Sequence, residues 1–480
     1  MKYATYLATL VLCVLAACTM EPTQTDSEST AQPVEDPRFA EAKENYKTYC
    51  SSCHGEQMYA FTDRKWKHGN ELDSLIHSIT EGYVDAGMPA WGAVLADSQI
   101  QLLAEYIRTG IEHVEQYGFK DIELESDTFE TEALTFELDT VAAGLKNPWG
   151  MAVLPSGDLL VTDRVGKIYL ASEGETKEIE GVPTVRAKGQ GGMLDILLHP
   201  DFENNHWVYI SYSDLEVKDG DTLTGTAVDR YTYQDGALTE SVEIFRGKPY
   251  TDKRYHFGSR MVFDDAGFLY LTVGDRGNRD ENPQSLANPM GKVHRLNDDG
   301  SIPADNPFVN DSTAIKSIWS YGHRNPQGLI WNPSTQELWE HEHGPRGGDE
   351  LNLIKQGVNY GWPVISYGIN YDGTIFTSEL EKEGMEQPVH YWVPSIAPCG
   401  MALVTSDKYP AWDGNIMVGS LRFKYLNRVV IKNGQVVHEE PLMKNIGRVR
   451  NVIMGADGFL YVSVEQPGLV YRIKPLGSES

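Results

Sequence analysis

One pattern recurs six times between Trp149 and Gly468: a short apolar strand, a turn carrying Gly, Asp or Asn, and a second apolar strand. The copies begin WGMAVLPSGDLLVTD at Trp149, MLDILLHPDFENNHWVYISYS at Met193 and SRMVFDDAGFLYLTVGD at Ser259. They continue with QGLIWNPSTQELWEHEHGP at Gln327, GMALVTSDKYPAWDGNIMVGSL at Gly400 and RNVIMGADGFLYVSVEQPG at Arg450. Each copy reads as a hairpin. One open sheet of that many strands would curl or split, and an ordinary β-sandwich does not predict a repeated register. Six hairpins with irregular connectors therefore argue an all-β six-bladed propeller over residues 136–476.

Blades of a propeller aim one end of every strand pair at a shared axial rim, so functional residues are expected at corresponding repeat positions. Immediately before the copies stand Gln190, His256, Arg324-Asn325 and Arg448-Val449-Arg450; immediately after them stand Asp275, Gly344-Pro345 and Arg422. In the third copy a hairpin brings its outer ends together, so His256 and Asp275, nineteen residues apart, can meet on the same rim. An imidazole beside a carboxylate is the minimum of a general base, because the carboxylate fixes the tautomer and stabilises the imidazolium. Alone, the pair could simply end two strands; its weight comes from the rest of the rim.

The formal net charge of −28 makes nucleic acid and anionic membrane surfaces poor partners. Any cluster of arginines in such a chain needs a local reason. The first residues read as an export signal over 1–17: Lys2, then an apolar run from Tyr6 to Ala17, too short for a membrane span. Leu15-Ala16-Ala17-Cys18 resembles the lipobox of bacterial lipoproteins. That resemblance implies a lipid-anchored, extracytoplasmic, periplasm-facing protein acylated at Cys18, with Thr19 in place of Asp pointing to an outer membrane. Residues 18–37 are polar and rich in Pro, Ser and Thr, a flexible linker. Cys13 leaves with the signal and Cys399 stands alone as a small apolar side chain, so no disulfide framework is expected.

Residues 38–117 form a small all-α domain ahead of the propeller. An amphipathic helix (Phe39, Ala42, Tyr46, Tyr49) runs into Cys50-Ser51-Ser52-Cys53-His54, the C-x-x-C-H signature of covalent haem c attachment. A thioredoxin-like dithiol and half a zinc site are the competing readings. Neither accounts for the following His-Gly, and there is no second Cys pair. Met88, in Gly87-Met88-Pro89-Ala90-Trp91, is the expected sixth iron ligand opposite His54, with Met58 the rival. Its loop and the helix Asp97–Arg108 resemble those of class I cytochromes c. Residues 118–135 form an acidic linker.

At the rim the match becomes specific. GQGGML at Gly189, YHFGSR at Tyr255, VGDRGN at Val273, MGKVHRLNDDGSIPADNPF at Met290, YGHRNPQGL at Tyr321, HGPRGGDELNLI at His343, VNYGWP at Val358 and GRVRNV at Gly447 resemble the soluble quinoprotein glucose/aldose dehydrogenases. These are six-bladed propellers that bind pyrroloquinoline quinone (PQQ), and the resemblance covers about Leu145 to Ile473. It implies that His256 is the general base with Asp275 its partner, that Arg324 and Asn325 hold substrate and quinone oxygens, and that Gln190 contacts the cofactor. It further implies that Arg448 and Arg450 grip PQQ carboxylates and that Gly344 and Pro345 offer backbone carbonyls to a catalytic Ca2+. Glu350 and Tyr360 match two ligands of a second Ca2+. Carbonyl oxygens suit a hard cation, and Arg422 adds a cation near the quinone. Tyr255 stands where the glucose enzymes carry Asp, Asp280 where they carry Gln, and Arg422 where they carry Lys.

The expected function is oxidation of an aldose at its anomeric carbon to the lactone, by hydride transfer to Ca2+-bound PQQ. Electrons then pass to the fused haem c and on to a respiratory acceptor. A dehydrogenase of a non-sugar alcohol, a binding propeller without redox chemistry and a propeller lactonase are the alternatives; the last leaves the haem motif and the arginines unexplained.

Overall fold

The computed structural model describes residues 36–50, 68–69, 71–83, 88–112, 126–371 and 374–477. Cys18, Cys53, His54 and Met58 lie outside the described residues.

The repeat becomes six sheets. Blades 1 to 5 are four-stranded antiparallel sheets within residues 148–178, 193–246, 261–321, 326–392 and 398–442. Blade 6 combines Val449–Met454, Leu460–Val464 and Leu469–Pro475 with two strands from the other end of the domain, Thr135–Ala142 and Thr128–Glu130. The pairing of Phe136 with Pro475 and Leu138 with Ile473 closes the ring with hydrogen bonds between chain-distant strands. Thr128–Glu130 lies inside the stretch expected to be linker, so the propeller begins earlier than residue 136. The first strands of successive blades contact one another in a closed circuit.

The quoted repeats are the first and second strands of each blade. Second strands such as Leu159–Asp163, Leu269–Val273 and Leu460–Val464 are buried at every position, because neighbouring sheets cover both faces. Each fully buried Leu or Val there contributes about 1.5–3 kcal/mol. Their small hydroxyls serve the ring: Ser211 Oγ donates to Ser259 O of the next blade at 2.8 Å.

Arg260 fills the axis. Its guanidinium donates to Asp195 of blade 2 at 3.1 Å, Gln327 O of blade 4 at 2.9 Å and Arg450 O of blade 6 at 3.0 Å. It approaches Cys399 Sγ of blade 5 at 3.7 Å and stacks 3.8 Å over Trp149 of blade 1. One buried charge thus touches all five other blades.

The N-terminal unit, described by itself, contains helices Ala40–Tyr49, Leu72–Glu81 and Asp97–Glu112. The middle helix was not expected, and the last runs one turn beyond Arg108. Tyr46, Leu75, Ile79, Ile100 and Leu103 form its core, and Cys50 is buried in that cluster. Met88 and Tyr83 exchange two backbone hydrogen bonds, at 2.8 and 3.1 Å.

Candidate functional site

The third-blade hairpin forms as expected, with Met261 opposite Leu271 and Phe263 opposite Leu269. Its open end is drawn tight at Gly274, where a Cβ would meet His256 O at 2.3 Å. His256 Nδ1 lies 2.7 Å from Asp275 Oδ1. His256 itself has φ of 57°, a left-handed conformation that His tolerates better than most residues. Its main-chain N–H donates to Gln190 Oε1 at 2.8 Å, so the expected cofactor-contacting Gln also holds the base. Burial and the charge of Arg324 push the His256 imidazole down, against the opposing pull of Asp275. At neutral pH the ring is therefore unprotonated, the state a base requires.

Asp275 is almost fully buried, which alone would raise its carboxyl. The His256 hydrogen bond and charge, Arg324 and Gly277 N–H outweigh that and lower it. Its other oxygen accepts from Trp362 Nε1 at 2.9 Å. Trp362 was missed in the sequence: the partner stands 87 residues away, and nothing local marks its indole as a donor.

Arg324 donates from Nη1 to His343 O at 2.9 Å and Gly344 O at 2.6 Å. Gly344 O is one of the two carbonyls expected to hold Ca2+; a carbonyl has a second lone pair, so both roles are compatible. Asp349, also missed, organises this loop by accepting from Gly344 N, Ser395 Oγ and Ala397 N at 2.8–3.0 Å. Burial pushes its carboxyl up to about 7. Gly344, Pro345 and Arg422 line one cavity of about 410 Å³.

A second cavity of about 280 Å³ shares the His343 and Ala397 walls and is lined by Gln190, Asn325, Arg448 and Arg450. Arg450 lies within the first strand of blade 6, not before it. Between the two arginines sits Glu465, accepting from Arg448 Nε at 3.0 Å and from Arg450 Nε and Nη2 at 2.8 and 2.6 Å. Burial would raise Glu465, but Arg450 and Arg448 hold it down at about 2. Cys399 corrects an expectation: its thiol is fully buried, but it faces Arg450 Nη1 at 3.2 Å and not an apolar neighbourhood. Arg164 and Glu465 directly follow the second strands of blades 1 and 6, the repeat position that gives Gly274, next to Asp275, in blade 3. Extending the rim comparison to all six copies would have found both.

Glu350 belongs to a buried acidic cluster with Glu340, Glu342, Asn352 and His323. His323 Nδ1 is 3.4 Å from Glu342 Oε1 and 4.0 Å from Glu340 Oε2, and neither it nor Glu340 Oε1 has a hydrogen-bond partner. Burial first, and Glu342 second, push Glu340 and Glu350 well up. No ion pair to Lys or Arg neutralises these carboxyls among the described residues, so donor oxygens for a cation are present. Tyr360 stacks on His323 at 4.8 Å, but its hydroxyl is spent on Leu353 O and Lys355 N, leaving only its main-chain oxygen as a ligand.

Residues 145–472 match the family model described as Glucose / Sorbosone dehydrogenase. The chain belongs to this family. Residues 37–107 match the model described as Cytochrome C oxidase, cbb3-type, subunit III, so a cytochrome c domain precedes the family's propeller. The aldose sugar dehydrogenase YliI of Escherichia coli is 39% identical over 349 residues, covering 71% of this chain and 93% of that protein. The crystal structure of the E. coli soluble aldose sugar dehydrogenase in its apo-form superimposes with TM-score 0.68 at 38% identity, over 71% of this chain and 99% of that one. The PQQ-bound aldose sugar dehydrogenase of Streptomyces coelicolor follows at 0.58 and 30%, over 71% and 98%. This member of the PQQ-dependent sugar dehydrogenase family is thus an oxidoreductase with a fused cytochrome c domain.

Proposed function

We propose that the propeller oxidises an aldose at its anomeric carbon to the lactone and that the electrons leave through haem c on the N-terminal domain. The observation that carries this reading is the carboxylate-held His256, tied to Gln190 and followed by Phe257 in the wall of the arginine-lined cavity, which in turn shares His343 and Ala397 with the cavity of Gly344 and Pro345. PQQ is a tricarboxylate, and a strongly acidic protein that gathers Arg448, Arg450 and Arg422 on two cavities sharing His343 and Ala397 is suited to receive such an anion. The arginines would hold PQQ and the Gly344 and Pro345 carbonyls a Ca2+ beside it; together the two groups would supply a polarised quinone as hydride acceptor.

This chain's residues do the rest. His256 Nε2 takes the proton of the anomeric hydroxyl as the carbon's hydride departs, and Asp275 stabilises the resulting imidazolium through Nδ1–H. Arg324 orients substrate and quinone oxygens with Asn325, and Gln190 fixes the backbone of the base. Cys50 and Cys53 would hold haem c covalently and His54 and Met88 would ligate its iron; the group would supply one-electron transfer to a respiratory acceptor. Fusion keeps that outlet at high effective concentration. Glu350 and the Tyr360 carbonyl complete a second cation site with the acidic cluster beside them. The same reading places the mature chain outside the cytoplasm, anchored by lipid on Cys18.

Reconstitution of purified protein with PQQ and Ca2+, followed by an aldose panel with lactone detection, tests the reading. Lactone formed from a sugar supports it; turnover of alcohols alone, or of nothing, refutes it. Replacing Cys18 with Ala should move the protein from the membrane to the soluble fraction.

A further inference from the structure

Three guanidiniums, not two, face the cavity of about 280 Å³: Arg164 lines it with Arg448 and Arg450. Arg164 follows the second strand of blade 1, and its Nη1 donates to Gly189 O beside Gln190. Among the described residues it forms no ion pair with a carboxylate. Glu465, the cavity's one carboxylate, is spent on Arg448 and Arg450, so two positive charges remain in excess. Burial first, and the charge of Arg450 next, disfavour protonated Arg164 and outweigh the opposing pull of Glu465 and Asp163. Gly192 lets the chain pass this close, since a Cβ there would meet Arg164 O at 1.9 Å. A guanidinium kept in such surroundings with carbonyl partners but no carboxylate of its own is positioned for an anion that arrives from outside.

We propose that Arg164 is a third anion-binding residue of the cofactor cavity, holding a carboxylate of the quinone from the blade-1 wall. This rests on the functional reading above and adds a residue to it. The charge excess matches a polycarboxylate: Arg448 and Arg450 share one internal counter-ion and take one end of the ligand, while Arg164 takes a carboxylate that they cannot reach alone. Arg164 thereby selects for the acid over its neutral esters.

Equilibrium binding to apo-protein in Ca2+ tests this, with PQQ and its trimethyl ester as probes. Arg164→Gln should weaken PQQ about tenfold to a hundredfold, the loss of one charge-assisted hydrogen bond, and leave the ester within about twofold. Arg164→Lys should restore part of the loss. Unchanged PQQ affinity, or equal weakening of both probes, would overturn the assignment; equal weakening marks a structural role. If the unmodified protein binds no PQQ, the functional reading itself fails, a result distinct from normal binding by both unmodified protein and variant.

Discussion

Arg324 donates from its side chain to Gly344 O at 2.6 Å, and the two residues thereby join the His256–Asp275 pair to the Gly344-Pro345 loop. The main chain of Arg324 accepts from Asp275 N at 2.7 Å, and its guanidinium lies 5.3 Å over Trp362, which itself donates to Asp275. His256, Asp275 and the Gly344 carbonyl therefore form one connected body. A substitution at Arg324 disturbs all of them together.

His256→Gln should reduce kcat by about 10²–10⁴-fold while PQQ still binds, because the base contributes to the proton-transfer step and not to holding the cofactor. Since burial and Arg324 lower the His256 imidazole, kcat/KM should rise with pH through a midpoint below the ordinary imidazole value and be flat at neutral pH. Asp275→Asn removes a contribution that raises the ring, so any residual activity should show its midpoint at still lower pH. Steady-state pH profiles measure both.

Trp362→Phe keeps an aromatic ring beneath Arg324 but removes the donor to Asp275 Oδ2. Loss of a hydrogen bond to a charged group costs about 1.5–3 kcal/mol, so kcat should fall roughly tenfold or more. PQQ affinity, measured separately, should stay within about twofold.

The inner half of each blade was legible because its strands are apolar runs separated by turn residues. The outer strands were not: Glu175–Glu178 and Gln435–Leu442 are largely exposed and show no clean apolar alternation. Ring closure through Thr135–Ala142 was equally hidden, since its partner Leu469–Pro475 lies at the far end of the sequence. At the site, His256 and Asp275 could be placed together because one hairpin carries both. Trp362, Asp349 and the thiol of Cys399 act across blades, and only the folded ring reveals what they face.

Glu465→Gln tests the clamp between Arg448 and Arg450 through acid stability. A carboxyl held down at about 2 contributes stability that is present above the ordinary carboxylate value and lost as pH falls toward about 2. The shift from 4.5 corresponds to about 3 kcal/mol for this buried group. Denaturant titrations should show the variant weaker by about that amount at pH 7, with the gap closing in acid.

Ca2+ should raise the thermal midpoint of metal-free, PQQ-free protein, since a site that binds only the folded chain adds about 2.7 kcal/mol at a hundred times its Kd. Glu350→Gln should diminish that rise by removing one carboxylate from the buried cluster with Glu342. Differential scanning calorimetry with and without Ca2+ makes the comparison. An undiminished rise would place the stabilising cation elsewhere.

Stopped-flow absorbance of the reconstituted protein mixed with an aldose measures haem reduction driven by sugar oxidation within one chain. The predicted result is haem reduction at a first-order rate independent of protein concentration, abolished on that timescale in His256→Gln and absent without PQQ. Haem that stays oxidised with every sugar, or a His256→Gln protein that reduces it at the parent rate, would contradict the central claim.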